Sequence, residues 1–177
     1  MTRAERGWGL ALLAALALLA LGAACRADAR QDRPPEVRYG EDVCDRCGMI
    51  ISEPRFAAAY VTRDGVVRRF DDIGEMVLYH AEHGETVAAF WVHDYETEEW
   101  LPAPEASFVG SAALSTPMGH GVVALRTRER AQALAERVDG EVLDFQGLWR
   151  WLQERETPGH AHQPMTEVAA APPGPAH

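Results

Sequence analysis

Basic charge is scarce in this chain of 177 residues, and lysine is missing altogether: all 17 basic residues are arginine, against 27 aspartates and glutamates. The formal net charge of −10 argues against nucleic acid as a partner, because holding a phosphate backbone needs a basic surface. The missing lysine reflects composition bias rather than function. Cysteine is scarce too, with three in the chain, Cys25, Cys44 and Cys47, so a disulfide-stapled scaffold is excluded. Only one long apolar run occurs, over residues 8–21, and it falls short of the ~20 residues that a spanning helix needs.

That run follows Arg3 and Arg6 and leads through Gly22, Ala23 and Ala24 into Cys25, the layout of a lipoprotein signal peptide. Residues 1–24 are therefore read as a signal segment and Cys25 as the lipidated first residue of the mature protein. Gly22 stands where such signals usually carry leucine, with Leu21 one position earlier; plain secretion with an unlipidated Cys25 is the alternative. Removal of the segment leaves a chain one charge more negative and about 150 residues long, enough for one compact core. Residues 25–42 are polar, carry Pro34 and Pro35, and read as a flexible tether. A folded domain is expected over residues 43–156. Residues 157–177, rich in Pro, Gly and Ala, read as a disordered tail.

Within the domain, residues 56–62 and 66–70 flank Arg63-Asp64-Gly65 as a hairpin. Asp71 or Asp72 caps a helix with Ile73, Met76, Val77 and Tyr79 at helical spacing, ending at Gly84, and a strand over 87–93 follows. A second pass repeats the order: strands near 107–109 and 122–125, a helix capped by Thr127 and ended by Gly140, and a strand over 142–145. Both halves read strand, strand, helix, strand, so the fold class is α+β with a duplicated unit. A last helix over 146–155 packs some combination of Leu148, Trp149, Trp151 and Leu152.

Chemistry concentrates in three blocks. Cys44-Asp45-Arg46-Cys47-Gly48-Met49 sets two thiols and a thioether within six residues, and such soft ligands select copper(I) over harder ions. Gly48 lets the backbone bend so that Cys47 and Met49 turn toward one ion. Ser115-Thr116-Pro117-Met118-Gly119-His120-Gly121 is a turn that carries a second thioether and an imidazole. Met118, between Pro and Gly, suits a ligand on a surface loop, whereas His120 is either an accessory ligand or merely exposed. Phe70-Asp71-Asp72-Ile73-Gly74-Glu75-Met76 lies on the helix, where Met76 reads first as core and second as an accessory ligand. Asp71 and Asp72 read as caps, since no nucleophile or cofactor loop accompanies them. His80 and His83 do not match a zinc-ligand spacing, and a zinc site at the cysteines would need two further ligands. His160 and His162 in the tail are read as surface residues.

Together the three blocks, in order and spacing, resemble those of NosL lipoproteins, and the resemblance covers residues 43–149. It implies a fold of duplicated strand-strand-helix-strand units akin to organomercury lyase. It also implies a protein that is not an enzyme but an extracytoplasmic copper(I) chaperone, lipid-anchored on the periplasmic side of the cell membrane and supplying apo nitrous oxide reductase. The implied ligands are Cys47, Met49 and Met118, with Cys44 as an extra or substitute thiolate. Three other classes compete: a thiol-disulfide redox protein using Cys44 and Cys47; a carbon–mercury lyase, which would want thiols and an acid from separate loops; and a copper sensor or general copper buffer, which the sequence does not separate from a chaperone.

Overall fold

The computed structural model describes residues 33–156, with the side chain of Glu156 left aside. The expected signal segment, Cys25, the tail and His160 and His162 lie outside the described residues. Among the described residues, no helix is long and apolar enough to cross a membrane.

Strand β1 (Ala58–Thr62) and strand β2 (Val67–Phe70) form the expected antiparallel hairpin, closed by a hydrogen bond from Thr62 N–H to the Val66 carbonyl. The first strand starts later than its apolar pattern suggests because Pro54 opens a 3-10 turn over Pro54–Phe56, which sends the Phe56 ring against Tyr95 instead. Helix α1 (Ile73–His83) is capped by Asp72, whose side chain accepts from Gly74 N–H, and stops at Gly84 in the left-handed region (φ 62°). Strand β3 (Val87–His93) pairs with β1. A three-residue strand, β4 (Trp100–Pro102), extends the sheet to the order β2-β1-β3-β4. The sequence pattern hides β4 behind an acidic stretch, and its Pro102 is tolerable because the strand is at the edge.

The second unit holds β5 (Ser107–Gly110), β6 (Val122–Leu125), α2 (Arg128–Val138) and β7 (Glu141–Leu143), with sheet order β6-β5-β7. Thr127 caps α2 as expected, but the left-handed residue that ends it is Asp139 (φ 48°), one position before Gly140. The strand expected over residues 142–145 stops at Leu143 because Asp144 turns the chain into α3 (Phe145–Glu156), its carboxylate accepting from Gly147 N–H.

Two-residue alternation along β5 and β6 divides the interior. Phe108, Val122 and Ala124 join Tyr60, Phe70, Ile73, Met76, Val92, Leu148 and Leu152 in one large core. Val109, Val123 and Leu125 face Ala131, Leu134 and Ala135 of α2 in a second cluster. Side chains of this size contribute about 1.5–3 kcal/mol each when fully buried. Helix α1 packs on β1 and β2 and against α3 and β6, so the first turn of α1 meets the second unit. Asp94 joins the units elsewhere by accepting from Glu96, Thr97 and Arg126 N–H groups.

The tether expected to run to residue 42 is docked over its described part. Pro35 is buried, Arg69 donates to the Glu36 carbonyl, and Gly40 N–H donates to the Ile51 carbonyl. Tyr39 hydroxyl lies 2.9 Å from His93 Nε2, while His93 Nδ1 lies 3.1 Å from the Ala57 carbonyl and its ring packs on Trp100. An aromatic residue with a hydrogen-bonding tip near the end of a sheet is enough to pin a polar segment that composition alone reads as free.

Burial holds the His93 pKa below the ordinary imidazole value. The unfolded chain takes up a proton as pH falls through about 6.5, whereas the folded chain resists it. This contribution to stability is complete above that pH and is lost on acidification toward the folded pKa. The thermal midpoint should fall between about pH 7.5 and 5, and less steeply in His93→Gln. An equal slope in both proteins would refute the assignment.

Candidate metal centre

Cys44 and Cys47 lie in a tight turn closed by Gly48 N–H to the Cys44 carbonyl and Cys44 N–H to the Met49 carbonyl. Gly48 adopts φ 74°, a conformation that a side chain would strain, and nothing surrounds the space a Cβ would fill. Its requirement is thus conformational, as the sequence suggests. The turn lies against the N-terminal end of α1, with Asp45 accepting from the Arg69 backbone N–H. Both cysteines are free thiols, Cys44 buried and Cys47 half-buried.

Cys47 Sγ lies 3.5 Å from both carboxylate oxygens of Asp71. Cys44, Cys47, Asp71 and Glu75 each offer one donor atom, and all four donors fall within 4.8 Å of one another. Burial pushes the Cys44 thiol up to about 12, against backbone hydrogen bonds that lower it. Burial also raises the Cys47 thiol, with the Asp71 charge beside it acting the same way. Both therefore carry protons at neutral pH, and a metal ion taken up by them must displace those protons.

Glu75 is almost wholly enclosed, at 1% exposure. Its Oε1 accepts from Arg46 at 2.5 Å and from His120 Nε2–H at 2.9 Å, whereas Oε2 is buried with no hydrogen-bond partner. Arg46 also reaches Glu82 at 2.8 Å, so the residue between the two cysteines clips their turn onto α1. Gly74 explains how His120 comes so near: a Cβ there would stand 2.3 Å from the His120 ring. Glycine in a helix costs about 1 kcal/mol relative to alanine, and here it makes room for the imidazole.

Asp72, with no exposed surface, accepts from Gly74 N–H, from the Thr116 hydroxyl at 2.6 Å and from Met118 N–H at 3.2 Å. Burial raises its carboxyl pKa, and those hydrogen bonds, together with the nearby His120, oppose the rise. The turn carrying Met118 and His120 is thereby fastened to the same helix end as the cysteine turn.

The candidates named from sequence fall in different settings. Cys44 and Cys47 adjoin each other. Met49 directs its side chain outward at 53% exposure, Met118 is half-buried, and Met76 is fully buried in the main core. His120 is engaged by Glu75. His80 and His83 hold the far end of α1, bonded to the Glu85 and Tyr79 carbonyls. Sequence reasoning missed Glu75 and Arg46 and took Asp71 for a cap. Asp71 lies just before the Asp72 cap and Glu75 in the first turn of α1, and two carboxylates flanking a helix start in a chain that also carries a cysteine pair is the signal that could have singled them out.

The NosL family model matches residues 38–150. A relative described as the copper-binding lipoprotein NosL of Stutzerimonas stutzeri is 28% identical over 153 residues, covering 80% of each chain. A crystal structure of the copper chaperone NosL from Shewanella denitrificans has a similar fold. Its TM-score is 0.55 at 19% identity, over 64% of this chain and 96% of that one.

Replacing Asp72 with Ala should lower folding stability by about 2–4 kcal/mol, since it removes a helix cap and leaves buried donors unpaired. Chemical denaturation measures this; a loss no greater than that of an exposed cap would show that the Met118 turn does not depend on Asp72.

Proposed function

The chain belongs to the NosL family, and from that premise we propose that it carries copper(I) outside the cytoplasm and performs no catalysis. The observation that carries the proposal is the pair of free thiols, Cys44 and Cys47, held together in one turn at the N-terminal end of α1. Thiolates bind copper(I) tightly, and thioethers bind it without charge or proton competition and exchange readily. Cys44 and Cys47 supply the first kind of ligand, Met49 and Met118 the second, and His120 and Met76 are accessory. The outward Met49 side chain and the half-buried Met118 side chain would swing to complete the set while the backbone of the Met118 turn stays held at Asp72, and the same side-chain freedom would let an acceptor draw the ion away.

The names of the two relatives support copper as cargo. The remaining parts of the proposal are finer. Residues 1–24 act as a lipoprotein signal, Cys25 carries the lipid, and the periplasmic side of the cell membrane is the site of action. Residues 25–32 supply what remains of the tether, residues 157–177 form the tail, and apo nitrous oxide reductase is the recipient. The two units are read as a duplication, supported by their matching strand-strand-helix-strand order and the equivalent sheet orders β2-β1-β3 and β6-β5-β7.

Anaerobic titration of the reduced protein with copper(I) tests the core of this reading. One ion should bind tightly, and Cys47→Ser, Met49→Leu and Met118→Leu should each weaken it at least about tenfold, the least that even the outer partners of a metal ligand contribute. A Cys44–Cys47 redox couple without copper(I) affinity would replace the carrier with a thiol-exchange protein. The acidic charge should also steer the chain toward a basic face of its recipient, so transfer should slow as salt rises. Rates insensitive to ionic strength would remove the steering.

A further inference from the structure

We propose that Val43 and Ile50, with Met49 at their border, form an apolar face that rests on the lipid bilayer, so that the domain sits against the membrane in one orientation instead of turning freely on its anchor. The inference rests on the lipid-anchoring part of the reading above and is independent of the metal.

Among the described residues, five large apolar side chains stand exposed, and the three most exposed are Val43 at 52%, Met49 at 53% and Ile50 at 57%. Val43 and Ile50 oppose one another in an antiparallel bridge, and the side chains of such a pair project from the same face. Met49 adjoins them, its carbonyl accepting from Cys44 N–H. The backbone beneath is fixed as well: Ile51 N–H donates to the Asp42 carbonyl, and the Ile51 carbonyl accepts from Gly40 N–H. Apolar side chains held outward on a hydrogen-bonded frame stay in contact with water until something covers them.

The length of the remaining linker selects the lipid surface as that cover. Cys25 and Arg33, the first described residue, are eight positions apart, and Pro35 is already buried in the domain. Eight residues reach at most about 28 Å, and about 16 Å on average as a flexible chain. A domain of this size has a radius of gyration of about 14 Å, so the bilayer is never farther away than about one domain diameter. The linker also enters on the apolar side. Arg69 donates to the Glu36 carbonyl, pairs with Asp42 and gives its backbone N–H to Asp45, which gathers the start of the described chain beside Val43. Tethering of this kind supplies so high an effective concentration that a small apolar face suffices.

Charge does not oppose the contact. The chain carries a net charge of −10, yet the acidic residues flanking Val43 are paired, Glu41 with Arg38, Asp42 with Arg38 and Arg69, and Asp45 with Arg68. Apolar burial, rather than attraction between charges, therefore governs the docking, and salt has little effect on it.

The lipidated full chain with Ile50→Trp, reconstituted in vesicles of phosphatidylethanolamine and phosphatidylglycerol with brominated acyl chains, tests the proposal, because bromine quenches indole on contact. None of the native tryptophans among the described residues is exposed, so the variant should lose fluorescence that the wild type keeps. That excess loss should be the same at low and high salt, and adding Val43→Asp should remove it. Thermal unfolding checks that the variants fold; should Ile50→Trp fail to fold, Val43→Trp carries the test. Vesicle-bound protein without excess quenching overturns the docked face and leaves the anchor standing. A mass spectrum showing no lipid on Cys25 overturns both. If the added indole of a lipid-free Cys25→Ser chain shifts to the blue as protein concentration rises, without vesicles, a second copy covers the face and the proposal fails.

Discussion

Asp72 is a carboxylate with no exposed surface, and the hydrogen bonds that stabilise its burial hold the metal region together. One comes from the first turn of α1, through Gly74 N–H, and two from the turn of the second unit, through Thr116 and Met118. A buried charge without such donors is costly, so the helix end and the distant turn are ordered as one piece. The positive end of the α1 dipole adds to this by favouring negative charge close to it, whether from Asp71, Asp72, Glu75 or a thiolate.

Around that anchor, each neighbouring group constrains the next. Gly74 omits a side chain so that His120 can approach, His120 and Arg46 occupy one oxygen of Glu75, and Arg46 clips the cysteine turn to the helix. The outcome is two protonated thiols beside two carboxylates, with one methionine exposed nearby and another in the turn fastened to Asp72. Thiol protonation is set here mainly by burial, so an ion that enters must compete with protons before it can compete with other ions. Such a cluster would suit holding a cargo and releasing it, since the candidate groups differ in hardness, charge and exposure.

Much of the α+β fold was readable in advance where periodicity and caps agree. Asp72 and Gly84 bound α1 as their residue types suggest, Thr127 opens α2, and the hairpin closes at Arg63-Asp64-Gly65. Readings failed where a local rule met a competing contact. Pro54 delayed β1, Asp144 converted the end of an expected strand into a helix start, and β4 formed by pairing with β3 despite a weak pattern of its own. The docked segment before Asp42 escaped notice because Tyr39 finds His93, a residue 54 positions away.

The amino-acid sequence by itself determined the soft-ligand chemistry, the acidic character and the order of elements, because these follow from residue type and from spacing within one turn or one strand. Only the tertiary structure decided that Glu75 turns inward with one oxygen unpaired, that Asp71 faces Cys47 instead of capping α1, and that the Met118 turn is fastened to Asp72. Those facts depend on which groups lose their water when separate elements pack, and desolvation is a property of the assembled interior that no local stretch of chain carries.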